Sequence, residues 1–375
     1  MNLKRKLVNF ILLAILASLV FFWLPTYIGL FPAYSTNVFY PYQIFRGWLL
    51  GRFPFSIGDI LYFIIGCSLL VTIIKWISYL FRFRRYKERL AASLLHTINT
   101  ILVVYLIFML SWGANYYKPS LIDSWSLTPT RPALLTATDT AERKKLALEN
   151  LVTFDKLLVS RLNAYAPHYQ TLTLRQLNDR AKSYYYMYTD SKVKTYGVEI
   201  KPSLYGYFIE RLGVEGYYNP FTGEGQINKG LPAFTMPFLI CHEMAHQAGI
   251  ASEEDANLMA YALGTLVPDS TFRYSCYLNI WLYTNNRLYR RDSTLALKLE
   301  SELNTLTTAH IDTLEDLSQK YQNQYARASS DLYDNYLKLQ EQKDGIRSYG
   351  NVVNSAWLLE QKRKTADSKT INIPY

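Results

Sequence analysis

The chain has 375 residues, half of them hydrophobic and 15% aromatic, with a net charge of +10. That charge is not a nucleic-acid footprint, because residues 1–113 hold eleven Lys and Arg against Asp59 and Glu88, a net of +9, and the rest of the chain carries only +1. Apolar residues crowd into the same first third, which argues against a uniformly soluble chain.

Three apolar runs, 7–24, 60–81 and 94–112, come first. Each is about as long as the ~20 residues a helix needs to cross a bilayer. None shows the polar stripe that a core helix of that length carries, so all three are read as transmembrane helices. The first starts MNLKRK, but FFWLPTYIGLFPAYS follows without a small-x-small cleavage site, so it is expected to remain as an anchor. PFSIGD (54–59) should open the second, with Ser56 or Asp59 as its cap. Most of the positive charge lies in MNLKRK and FRFRRYKER (81–89), which the positive-inside rule puts in the cytoplasm. The 25–59 loop and everything past Trp112 then lie outside, as expected for a multi-pass protein of a bacterial cytoplasmic membrane. Lys75, His96 and Asn99 are read as polar residues near the inner face.

Residues 114–136, with Pro119, Pro129 and Pro132, read as a linker or a surface-wrapping segment. A domain follows over 137–364, with a tail at 365–375. Its first helix runs to about 165, with Thr138 or Asp139 as cap, and a second covers 174–189. Residues 193–230 are rich in Gly and Tyr and mix short β-like runs with turns. Helices resume at 234, and 294–340 reads as one long helix or two. Cys241 and Cys276 both sit in helical patterns and are expected to be free thiols, while Cys67 lies inside a span.

The chemistry is concentrated in PFLICHEMAHQAG, 237–249. His242 and His246 are four apart, so on a helix both imidazoles face the same way. Zinc in a hydrolase takes three protein ligands and leaves one position open. Glu243, beside the pair, would be the general base that activates the attacking water and then the acid that protonates the leaving amine. Gly249 can end this helix, and Ser252 can cap the next, whose first turn holds Glu253, Glu254 and Asp255. Acidic residues there suit the helix dipole without any metal. Glu253 and Asn257 nevertheless share a face, as a ligand and the amide behind it would.

Glu253-Glu254-Asp255-Ala256-Asn257 resembles the E-x-x-A-D/N signature of gluzincin metallopeptidases, which makes Glu253 the expected third ligand and Glu254 the alternate. Ser252 stands where a metzincin carries its third His, and a Ser is a poor zinc ligand. RFPFSIGDILY, SWGANYY, YYNPFTGEGQIN, PFLICHEMAHQAGIASEEDAN and YDNYLKLQEQKDGIRSYGNVV together resemble a bacterial membrane family of unknown function, domain-of-unknown-function family 3810. The resemblance covers most of the chain and implies a zinc metallopeptidase activity without a substrate. The implied architecture is mainly α: three transmembrane helices, then a mostly helical zincin-like α+β catalytic domain with a small β element. Tyr349 and Arg347, from the family-like tail, are candidates for stabilising an oxyanion, with His168 and His310 as others. YYNPFTGEGQIN is the segment best placed to offer an edge strand to an extended peptide, against an ordinary hairpin.

The expected activity is peptide-bond hydrolysis by zinc-activated water at the outer face of the membrane. The expected partners are Zn2+, the lipid bilayer and a membrane-near protein or cell-wall peptide, with no nucleic acid. The rival is a non-catalytic zinc-binding envelope scaffold or sensor, in which an intact Glu243 would have no purpose. A transporter is disfavoured, since the spans hold almost no mid-membrane polar residues. The motif begins more than a hundred residues past the last span, so the site is expected outside the bilayer.

Overall fold

The computed structural model describes residues 3–24, 27, 31–127, 140–189, 199–321 and 348–365. The chain opens with α1 (Leu3–Trp23), α2 (Tyr40–Leu50), α3 (Ile57–Phe81) and α4 (Phe83–Ser111). Of these, α1, α3 and α4 are long and apolar enough to cross a membrane, with mean hydropathies of 2.2, 2.3 and 2.0. They cover the three expected runs, but α4 starts at Phe83 rather than 94, because Arg and Lys are good helix formers and carry the basic segment into the helix. α4 packs on both α1 and α3. Lys6 Nζ donates to the Ala92 carbonyl at 2.9 Å and Asn99 Nδ2 to the Lys6 carbonyl at 3.0 Å, so the two basic segments share one end of the bundle. At the other end Ser56 caps α3, its Oγ accepting from the Asp59 N–H at 3.0 Å.

The rest of the chain is mostly helical. It comprises α5 (Thr140–Tyr165), α6 (Leu174–Tyr188), α7 (Gly206–Arg211), α8 (Met236–Gln247), α9 (Glu253–Leu266), α10 (Ser270–Tyr289), α11 (Ser293–Glu300), α12 (Thr305–Tyr321) and α13 (Ser348–Thr365). Thr138 and Asp139 lie outside the described residues. Thr173 starts α6 through a capping box with Gln176. The 294–340 stretch breaks between α11 and α12, and its part past 321 is outside the described residues. α10 runs through the core, against α5, α8, α9, α11 and α13, and buries Phe272, Tyr274 and Trp281. Cys241 and Cys276 are free and fully buried, as small apolar side chains of this core.

Three short strands form one sheet in the order β1 (Lys201–Pro202), β3 (Glu224–Ile227), β2 (Gly216–Asn219). β1 runs parallel to β3 with Lys201 opposite Gln226, and β2 runs antiparallel with Tyr217 opposite the same residue. YYNPFTGEGQIN is thus a hairpin with β2 at the sheet edge, and Gly223, at φ +70°, makes its turn.

The loop between the first two long helices is built into this part. Gln43 Nε2 donates to the Gly223 carbonyl at 3.0 Å, and Arg46 donates to the Pro220 carbonyl at 2.6 Å and the Tyr218 hydroxyl at 3.3 Å. Lys201 Nζ pairs with Glu224 at 2.7 Å and donates to the Leu50 and Phe55 carbonyls. Glu224 in turn accepts from the Gly58 N–H at 2.7 Å, at the start of α3. Residues 114–127, the described part of the linker or wrapping segment, lie against α9: Leu121 is buried and its N–H donates to Asp255 at 3.0 Å.

Candidate metal centre

α8 begins at Met236, has Pro237 in its first turn and buries all of its remaining residues. A helix apolar all round belongs in an interior. Here β2 and β3 of the sheet and the helices α6, α9 and α10 all pack against it. His242 and His246 stand one turn apart with their Nε2 atoms 3.1 Å from each other.

The helix ends as its glycine requires. Gly249 sits at φ +84°, and the Ile250 N–H reaches back to the Ala245 carbonyl at 3.1 Å. This turn aims the Ile250 carbonyl at His246 Nδ1, 2.7 Å away. A carbonyl only accepts, so Nδ1 carries the hydrogen and Nε2 keeps its lone pair for a metal. Ser252 then caps α9, accepting from the Asp255 N–H, and Glu253 enters the first turn facing the imidazoles. Glu253 Oε2 lies 3.2 Å from His242 Nε2 and 3.6 Å from His246 Nε2.

These separations fit a metal. Ligands at ~2.05 Å around a tetrahedral zinc stand about 3.3 Å apart. The three donor atoms, two imidazole nitrogens and one carboxylate oxygen, are the only such group of three among the described residues, and all are buried. Beside them Glu243 Oε2 is buried with no hydrogen-bond partner among the described residues, while the Asn257 side chain hydrogen-bonds the His242 imidazole. An unsatisfied carboxylate oxygen is rare in a protein interior, and one beside three converging donor atoms marks a place for a bound species.

Electrostatics agree. Burial pulls the His246 imidazole down, but the charge and hydrogen bonding of Glu253, with Glu243 and the Ile250 carbonyl, more than offset it and bring it up to about 9. Burial lowers His242, against hydrogen bonding to Glu253. Burial would raise Glu253, yet the two histidines hold it well below the usual carboxylate range. Burial pushes Glu243 up to about 8, helped by Glu253 and Glu215 and opposed by His246. The cluster concentrates carboxylates and draws positive charge onto His246 but not His242, in place of the charge a divalent cation would bring.

The hairpin is fitted to Glu243 by glycines. A Cβ on Gly216 would stand 2.5 Å from Glu243 Oε1, and one on Gly225 would stand 3.2 Å from Glu243 Cβ. Only bare backbone lets β2 and β3 approach this closely.

Of the expected site residues, His242, His246 and Glu253 come together, with Glu243 beside them and Asn257 buried next to His242. Glu254 does not join them: it accepts from Ser355 Oγ at 2.6 Å, toward α13. Arg347 and the Tyr349 side chain lie outside the described residues. His310 stacks on Phe234 at 3.9 Å and bonds the Tyr274 hydroxyl at 2.8 Å, and His168 lines a surface cavity with Arg180 and Asp269. Neither is in the cluster.

Other neighbours carry no motif. The Trp112 ring meets His246 edge-on at 6.1 Å, and Tyr218 lies 6.2 Å from the same imidazole. The charges of Glu215 and Glu253 act, after burial, on Tyr283 of α10. Trp112 reads in the sequence only as an aromatic at the end of a span, and its pairing with His246 spans more than 130 positions.

Replacing Gly249 with Ala should be costly. The new Cβ would meet Phe39 Cε1 at 2.7 Å and Lys118 Nζ at 3.0 Å, at a backbone angle that suits glycine. Left-handed strain of ~1–2 kcal/mol and overpacking of ~1–3 kcal/mol give a loss of about 2–4 kcal/mol. With the Ile250 carbonyl displaced, zinc affinity should drop by ~10–100-fold. Thermal unfolding and a chelator competition measure the two effects, and a lower melting point with unchanged affinity would show that the turn does not orient His246.

A family model described as a protein of unknown function (DUF3810) matches residues 34–357, and the chain belongs to that family. No curated protein matches it, and no solved structure does.

Proposed function

We propose that this member of the family is a membrane-anchored, zinc-dependent metallopeptidase acting at the outer face of a bacterial cytoplasmic membrane. The observation that carries the proposal is the set of three buried donor atoms at tetrahedral spacing, beside a buried carboxylate with an unpartnered oxygen. His242, His246 and Glu253 would hold the ion. Zinc in such a site polarises a carbonyl and brings the pKa of water down toward ~7.

The remaining work falls to the chain's own groups. Glu243, buried beside the three donors with one oxygen unpartnered, would take a proton from the attacking water and return it to the leaving group. The Ile250 carbonyl fixes the His246 tautomer. Gly216 and Gly225 keep the space next to Glu243 clear of side chains. Two basic segments at one end of the bundle support the cytoplasmic assignment of that end.

The test compares the full chain in lipid with Glu243→Gln, using an unfolded soluble protein and a membrane-tethered one as substrates. Zinc content should be equal, and cleavage should fall by ~10²–10⁴-fold in the variant. Stoichiometric zinc in a wild type that cuts neither would leave the non-catalytic scaffold.

A further inference from the structure

The motif is far from the spans in sequence but close to them in the fold. The hydrogen bonds and ring contacts of one strand make the connection. Tyr217 of β2 donates its hydroxyl to Asp59 Oδ1 at 2.5 Å, in the first turn of α3. The next residue, Tyr218, packs its ring 4.4 Å from Trp112, immediately past the end of α4. The preceding residue, Gly216, is the one against Glu243. Apolar side chains are exposed on α3 from Ile60 and Phe63 onward and on α4 up to Leu110. The strand beside the candidate base therefore touches both helices where their apolar surface ends.

Other exposed apolar residues continue this level sideways. α2 exposes Phe45, Trp48 (56%) and Leu49, while its Arg46 turns inward to the hairpin. Leu204 is 54% exposed, and its N–H is bonded to Asp59 Oδ2 at 2.7 Å. Aromatic and aliphatic side chains flanking the ends of membrane helices are what an interfacial belt consists of.

We infer that α2 and the Leu204 loop rest in the lipid headgroup layer and hold the metal cluster at the bilayer surface, so that its substrate is a membrane-tethered polypeptide cut next to its anchor. At 3.3 Å per strand residue the ligands lie on the order of 10 Å from the end of the apolar surface. A fully extended chain covers that distance in about three residues. The substrate half of this inference rests on the peptidase reading, and the placement half does not.

Both halves are tested on the full chain in phosphatidylcholine vesicles. Cys67→Ser removes the exposed thiol, and Cys241 and Cys276 are fully buried. An environment-sensitive fluorophore is then placed at Leu204→Cys, at Trp48→Cys as a second site, and at Leu297→Cys on α11 as an aqueous reference. Lipids brominated near the top of the acyl chain should quench the first two at least about threefold more than the third. Equal quenching at all three overturns the placement. In the same vesicles, a single-span polypeptide with a cleavable segment directly after its span should be cut at least about tenfold faster than one with a long hydrophilic spacer. Equal rates overturn the substrate class. Quenching as expected with metal bound and neither polypeptide cut overturns the peptidase reading and leaves the placement standing.

Discussion

His246→Ala and Glu253→Ala, each made in the full chain, are expected to lose the zinc that the wild type and Glu254→Ala retain. The three ligand atoms lie within 4.8 Å of one another, so removal of any one leaves two donors and opens the site to water. Affinity should fall by more than the ~10–100-fold typical of a residue that only orients a ligand. Asn257→Ala, beside His242, should fall within that smaller range. Glu254 is the informative control, being next to Glu253 in sequence and equally acidic, but hydrogen-bonded to Ser355 instead. Metal content after dialysis against a weak chelator reads all four variants, with circular dichroism to show that each is folded. Zinc kept by Glu253→Ala and lost by Glu254→Ala would refute this ligand set.

The second large effect is expected at the Lys201–Glu224 pair, whose side chains are 4% and 2% exposed. The ammonium is satisfied by Glu224 and the Leu50 and Phe55 carbonyls. The carboxylate also accepts from Ile57 and Gly58 N–H, where the α3 dipole favours negative charge. Lys201→Met or Glu224→Gln alone strands the other charge in the interior and should cost about 3–5 kcal/mol. The double variant strands no charge and should cost clearly less than the sum. Thermal unfolding in detergent measures the cycle, and strict additivity would refute the coupling. Because Gly225 follows Glu224 and packs on Glu243, each single variant should also slow any cleavage.

The legible parts of this molecule are those specified over short stretches of chain. A helix long and apolar enough to cross a membrane is a sum over some twenty residues, and the three runs announce themselves whatever the rest of the chain does. The candidate ligand trio is similarly local. A four-residue spacing puts two imidazoles on one face, a glycine ends the helix, and a serine begins the next with Glu253 in its first turn. The choice of Glu253 over Glu254 comes from the resemblance to the gluzincin signature, and helical phase adds only that Glu253 shares a face with Asn257. What could not be read is whatever joins distant segments. Trp112 and Tyr218 flank His246 from two different parts of the chain, and Glu215 and Tyr283 enter the cluster's electrostatics from β2's approach and α10. The parallel pairing of β1 with β3 also has no local signal, since two strand residues cannot show an alternation. The 25–59 loop reads as a connection between spans, and only the fold reveals Gln43 and Arg46 holding the hairpin turn.

That interlocking has a consequence for how the protein is made. Phe39, from the loop after the first long helix, and Trp112, after the third, close over the turn at Gly249. On the proposed topology those pieces leave the ribosome well before α8, and they must already be on the same side of the bilayer when it arrives. A chain threaded with the wrong orientation of its first spans strands the loop across the membrane from the helix it should cover. The metal cluster then lacks its wall, and the hairpin lacks its clamp. On the proposed topology, then, an error of insertion dismantles the candidate site instead of leaving it intact on the wrong side.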